Sequence, residues 1–232
     1  MATLREKTAL VVGAGSLGGP VALALAAAGV GRLVLVDSAL VELPDLAAQP
    51  LLRDADVGQP RAAAAVRRLA RLFPGLELDA RADLDARSAV RVARSADVVV
   101  DASSRFDTMF LVNDAAVAAG RPLAHAGLLQ LTAQLLTVVP GVTGCLRCLF
   151  EGPPPGAASS GAAPGVLGPM AGFAGSLLGA EAVRLLEGGP GTYRGRLLVH
   201  EARSGRSRCV PVRRRAGCAA CGGILPGAGG AP

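Results

Sequence analysis

Two sets of residues in this chain have the types and spacing for chemistry. The first is four of its five cysteines, set as Cys145-Leu146-Arg147-Cys148 and Cys218-Ala219-Ala220-Cys221. Two residues between the sulfurs of a pair let both thiolates face one tetrahedral ion, and two such pairs complete a four-cysteine zinc site. The pairs stand far apart in sequence, so the zinc would tie the end of the chain back to its body rather than build a small finger. Four thiolates and one Zn2+ leave two negative charges, which Arg147, Arg213, Arg214 and Arg215 are placed to offset. Disulfides are the alternative for the same spacing, and a cytosolic setting disfavours them. The second set is Gly13-Ala14-Gly15-Ser16-Leu17-Gly18, followed by a carboxylate at Asp37. Gly13 suits a tight turn, Gly15 lets backbone N–H groups approach a phosphate, and Gly18 lets a helix sit close to a sheet, while Asp37 can hold a ribose hydroxyl.

Such a loop works only between a strand and a helix. Apolar runs at 8–12 and 33–37 flank an alanine-rich helix reaching about residue 29, which makes a nucleotide-binding βαβ unit. Further along, the periodicity predicts a short helix at 44–48, helices at 61–73 and 85–94, and strands at 76–80 and 97–101. The last of these is a buried parallel strand ending in Asp101, a second candidate ligand position. A helix is predicted at 108–119. His125 follows a short apolar strand and reads as a satisfied buried imidazole rather than a catalyst. A strand at 131–139 leads to the first cysteine pair. A Gly/Pro/Ala/Ser crossing loop at about 151–165, a long small-residue helix at 166–186 and strands at 196–200 and 207–212 lead to the second pair. Cys209, on the last of these strands, is expected to pack as a small apolar residue and not to act as a nucleophile. The fold class is α/β: a doubly wound, mostly parallel Rossmann-like sheet with a C-terminal antiparallel extension tied by the zinc site. Residues 1–222 form one domain, and 223–232 are expected to be a disordered tail.

Composition narrows the class. With 51% hydrophobic residues the 232-residue chain has ample core. There is neither a long uninterrupted apolar stretch nor a signal-peptide layout, so the expectation is a cytoplasmic protein off the membrane. The net charge of +6 suits anionic ligands, but five Phe, one Tyr and no Trp leave few stacking platforms for nucleic acid.

The order of these motifs resembles the ThiF/MoeB/HesA family of adenylating enzymes. The resemblance rests on GAGSLGGPVALALAAAGVGRLVLVD, VGQPR, DVVVDASS, GCLRC, GCAAC and GVLGPMAGFAGSLLGAEAVRLLEG. It implies ATP-dependent activation of a carboxylate, with Mg2+, on the C-terminus of a ubiquitin-like sulfur-carrier protein, a peptide or a small carboxylate, by a homodimer. The resemblance also assigns positions. Gln49 matches a family glutamine, and Arg61 replaces a lysine that faces the nucleotide. Ser104 stands where the family has its magnesium aspartate and Arg105 where it has an asparagine. Asp45 replaces an asparagine, Ala48 a phosphate-binding arginine and Met109 a further arginine. On this reading Arg61, Asp45 and Arg105 carry catalysis. Arg61 and Arg105 cover the triphosphate, and Asp45, Asp101 or Asp107 reaches magnesium. Gly13, Gly15, Gly18, Asp37, Gln49, Arg61 and Ser104 line the nucleotide. The crossing loop has no cysteine for a thioester relay. Two other readings share parts of the pattern: a family member that binds a carrier or partner without adenylating, and a nicotinamide or flavin oxidoreductase, against which the paired cysteines and the lack of a hydride-transfer catalyst stand.

Overall fold

The computed structural model describes residues 4–152 and 166–224. One eight-stranded sheet organises them, in the order β3-β2-β1-β4-β5-β6-β7-β8. Strands β1 (Thr8–Val12), β2 (Arg32–Val36), β3 (Glu77–Arg81), β4 (Val98–Asp101) and β5 (Leu123–Leu129) are parallel. Strands β6 (Thr132–Val138), β7 (Arg196–Glu201) and β8 (Arg206–Pro211) continue the sheet antiparallel. The strand order reverses between β1 and β4, and in open sheets of this kind ligands collect at the carboxyl ends of the strands flanking that point.

Helices cover both faces, which is why β1 and β4 read as unbroken apolar runs instead of alternating. One face buries α1 (Gly18–Ala27), α2 (Arg61–Leu72) and α6 (Gly168–Leu186) against residues such as Ala9, Val11, Leu33 and Leu35. The other buries α3 (Ala86–Arg94), α4 (Phe106–Ala119) and α5 (Leu146–Leu149) against Leu10, Val12, Val34 and Val99, together with Cys145, Cys218 and Cys221. The cysteine pairs therefore belong to a core layer. Helix α3 begins at Asp85, whose carboxylate accepts from the Ser88 N–H at 2.7 Å, and α4 stops at Gly120, which takes the left-handed φ of 69° that glycine tolerates.

Element boundaries fall within one or two residues of the sequence expectations, with two substantive differences. His125 lies inside β5, which runs on to pair with β6, rather than following a short strand. The strand carrying Cys209 is the free edge of the sheet, exposed along its whole length, so Cys209 is exposed and does not pack as expected. Among the described residues β8 pairs with β7 alone, and its sequence, rich in arginine and serine, leaves Cys209 uncovered. The crossing loop from 153 and the tail from 225 lie outside the described residues.

The glycine loop depends on a backbone approach that side chains would block. Gly13 adopts φ +96°, and a Cβ there would stand 2.5 Å from the Ala102 carbonyl oxygen. A Cβ on Gly18 would overlap the Gly13 carbonyl. Both obstacles are backbone, which cannot rotate away. Gly18→Ala is expected to cost at least about 3 kcal/mol, lowering the melting temperature by roughly 6–12 °C, as a thermal melt would read.

Candidate functional site

The loop after β1 turns at Gly13, held by its N–H to the Val36 carbonyl at 2.8 Å, and enters α1 at Gly18. Asp37, just past β2, braces it: Oδ2 accepts from the Ala14 N–H at 2.7 Å and Oδ1 from the Ala39 N–H at 2.9 Å. Asp37 thus fixes the loop in addition to offering oxygen for a ribose.

Arg61 opens α2 and points back across the same crevice. Its guanidinium lies 3.4 Å from Asp37 Oδ2 and 3.0 Å from Asp45 Oδ2, and donates to the Leu40 carbonyl at 3.3 Å. Its Nη1 is 3.6 Å from the place where a Cβ on Gly15 would stand, so the cation sits against the most open part of the loop. The Arg61 side chain is 17% exposed and those of Asp37 and Asp45 are 10% and 19% exposed, which strengthens the attraction relative to a surface pair. Asp45 belongs to a short 3-10 turn, Leu43–Ala47, and also caps the Glu42 N–H at 2.9 Å. The structure thus brings Gly13, Gly15, Gly18, Asp37, Asp45 and Arg61 to one crevice at the carboxyl ends of β1 and β2. Arg67, on the outer face of the same helix, pairs with Asp56 and is half exposed.

Gln49 takes a different position from a nucleotide contact. It is 2% exposed, its Nε2 donates to the Ala14 carbonyl at 2.8 Å and its Oε1 accepts from the Leu51 N–H at 2.7 Å. It props the glycine loop from beneath, packed where a Cβ on Gly19 would fall. Ser104, Arg105 and Asp107 lie exposed where β4 gives way to α4, with Arg105 as the residue preceding the helix. Asp101, the end of β4, is corrected as a free magnesium ligand: it is fully buried, with Oδ1 bound to the Ser103 N–H and hydroxyl and Oδ2 2.8 Å from His125 Nδ1. This pairing joins two strands and carries no local sequence signal.

The four cysteines meet as their spacing requires. Their sulfurs all lie within 4.8 Å of one another, with Cys145 to Cys218 at 3.6 Å and Cys148 to Cys221 at 3.4 Å. Thiolates about 2.3 Å from a tetrahedral ion stand about 3.8 Å apart, so the donor set fits a metal ion of that size. Burial pushes the Cys145 and Cys221 thiols up, while for Cys218 the N–H groups of Cys221 and Ala220 outweigh burial and bring it down to about 7. The backbone N–H of Arg215 donates to Cys148 Sγ at 3.4 Å. The neighbouring guanidiniums are turned elsewhere. Arg147 grips Asp114, Arg215 grips Glu151, and Arg214 caps the carbonyls of Cys221, Gly222 and Ile224. Their charge still acts through space, since the Cys145 and Cys218 thiols contribute to raising Arg147, after its bond to Asp114.

Cys209 stands apart on β8, paired in register with Leu198 and distant from the glycine loop across the sheet. Cys209→Ser is expected to leave both the melting temperature and any nucleotide-dependent turnover at parental values. A loss of turnover would assign it a chemical role.

Comparison with known proteins extends this geometry. Residues 1–220 match the ThiF family model. The chain is 41% identical over 226 residues to the sulfur carrier protein adenylyltransferase of Thermus thermophilus, covering 94% of this chain and 83% of that protein. It is 39% identical over 221 residues to the SAMP-activating enzyme E1 of Haloferax volcanii, covering 94% and 82%. Against the adenylyltransferase and sulfurtransferase MOCS3 of Bos taurus it is 43% identical over 222 residues, but it spans only 49% of that longer protein. Among solved structures, Escherichia coli MccB in complex with MccA-N7isoASN superposes with a TM-score of 0.83 at 22% identity, over 95% of this chain and 68% of that one, a likeness of fold. No helix among the described residues is long and apolar enough to cross a membrane. With the glycine loop, the paired cysteines and a family model that runs almost end to end, the chain belongs to the ThiF family.

Proposed function

We propose that this protein is an ATP-dependent adenylyltransferase that activates the C-terminal carboxylate of a ubiquitin-like sulfur-carrier protein. The observation that carries this reading is the convergence of Arg61, Asp37 and Asp45 on the glycine loop. A carboxylate oxygen of the carrier attacks the α-phosphorus of ATP, the bond to the bridging oxygen breaks and pyrophosphate leaves. Such a reaction needs a positioned phosphate, positive charge on the developing oxyanions and a carboxylate for the metal that accompanies ATP. The glycine loop and α1 N-terminus meet the phosphates, Asp37 the ribose, and Arg61 the phosphate oxygens as a bidentate donor. Asp45 supplies the carboxylate that Ser104 does not. With Arg61 turned to the phosphates, Asp45 is released from its ion pair and free to face Mg2+.

The names of two relatives, a sulfur carrier protein adenylyltransferase and a SAMP-activating enzyme, support a carrier as the substrate. The cysteine cluster belongs to the same reading as a closed, structural zinc site, held by Cys145, Cys148, Cys218 and Cys221 with no open position for chemistry. The test of the activity is ATP–pyrophosphate exchange with a purified ubiquitin-like sulfur carrier from Thermus thermophilus as the carboxylate. Exchange that depends on the carrier and vanishes when its last glycine is removed is the expected result. Exchange equally fast without it would assign the activity to another carboxylate.

A further inference from the structure

One buried polar group takes no part in the chemistry above. Asp101 has no exposed surface, and among the described residues its neighbours are Ser103, at 3.0 Å from N–H and 2.6 Å from the hydroxyl, and His125 Nδ1 at 2.8 Å. A carboxylate oxygen accepts, so the ring hydrogen of His125 sits on Nδ1 and its Nε2 carries the lone pair. His125 is 6% exposed, and among the described residues Nε2 has no hydrogen-bond partner yet is not one of the buried unpartnered polar atoms, so the small exposed part of the ring leaves it open to a ligand. An imidazole held at one nitrogen by a buried aspartate, with the other left open, has the arrangement of an oriented general base.

Its place in the sheet says which atoms it can serve. Asp101 is in register with Val12, the residue before Gly13, and His125 is in register with Asp101 on the next strand out. With strands about 4.8 Å apart, His125 sits about 10 Å across the sheet from the glycine turn. That is too far for the phosphates held at the turn and leaves room for the acyl end of a substrate lying along the carboxyl ends of β4 and β5.

We infer that His125 is the general base of a second half-reaction, in which the acyl group passes from the adenylate to a protic nucleophile, an amine or a thiol. The inference rests on the adenylating reading. The nucleophile's nitrogen or sulfur bonds to the acyl carbon, the bond from that carbon to the AMP oxygen breaks, AMP leaves with the electron pair, and the nucleophile's proton goes to His125 Nε2. Asp101 is a positioning residue that holds the ring. The nucleophile comes from outside the chain, because four cysteines form the cluster, Cys209 lies on β8, three strands beyond β5, and the single lysine, Lys7, precedes β1 at the opposite end of the strands and pairs with Asp97.

The test measures two rates on the same proteins: carrier-dependent ATP–pyrophosphate exchange, and AMP release from preformed carrier adenylate after adding glycinamide or dithiothreitol. In His125→Gln, which keeps a donor for Asp101, the ratio of AMP release to exchange is expected to fall about 100-fold. Asp101→Asn should lower the same ratio less. The arm that responds, glycinamide or dithiothreitol, identifies amine or thiol. An unchanged ratio in His125→Gln, or parental AMP release that neither nucleophile accelerates, overturns the inference while leaving adenylation intact. Absence of exchange in the parent overturns both.

Discussion

Cys145→Ser is expected to strip the metal from the protein and to detach the C-terminal segment from the domain. Cys145 is fully buried in the layer shared with α4, and Cys218 and Cys221, with Val212, are buried residues through which the segment after β8 joins that layer. A four-thiolate zinc site typically contributes about 10–16 kcal/mol of apparent binding free energy, which in a site formed on folding is folding free energy. Losing one ligand forfeits a large share of it and leaves three thiols competing for a buried space. The melting temperature should fall by more than about 10 °C, at roughly 2–4 °C per kcal/mol for a chain of this size. Elemental analysis should drop from close to one zinc per chain in the parent to near zero. A parent purified without zinc, its thiols free or in disulfides, would end the zinc assignment.

Arg61→Ala is expected to raise the dissociation constant for Mg·ATP by at least about 30-fold to 150-fold, the equivalent of about 2–3 kcal/mol. Two effects add. The phosphates lose a bidentate donor, and Asp37, now without its counter-ion, faces the triphosphate as an uncompensated negative charge. Arg61→Lys should recover part of the loss, because a lysine restores the charge without the planar fork. Arg67→Ala, whose guanidinium meets Asp56 on the outer face of α2, should change the constant less than about twofold. Titration calorimetry on the three variants separates these outcomes. Equal effects at positions 61 and 67 would place the phosphates elsewhere.

The parts of this molecule legible in its sequence are those with local signals. The glycine loop, the apolar runs of β1, β2 and β4, and the amphipathic α2 and α3 follow from spacing and periodicity alone. So did the four cysteines, because their ligand spacing is itself local. What the sequence concealed is contact between segments. The Arg61–Asp45 and Arg61–Asp37 pairs join a helix start, a 3-10 turn and a strand end. Gln49 looked like a nucleotide contact, and its burial under the loop appears only when Ala14 is brought over it. Cys209 misled because β propensity says nothing about whether a strand has a second neighbour. Asp101 and His125 are each unremarkable in sequence, and the β4–β5 register makes them a pair.

The central claim, that this chain joins AMP to a carboxylate, is tested most directly by the intact mass of the Thermus thermophilus sulfur carrier after incubation with the protein, ATP and Mg2+. The predicted result is a carrier population heavier by one AMP. It should form with release of pyrophosphate, be absent for a carrier lacking its terminal glycine and be strongly reduced with Arg61→Ala. A carrier that binds the protein and returns at unchanged mass, under conditions where calorimetry shows ATP bound, would contradict the claim and leave a carrier-binding protein without adenylating activity.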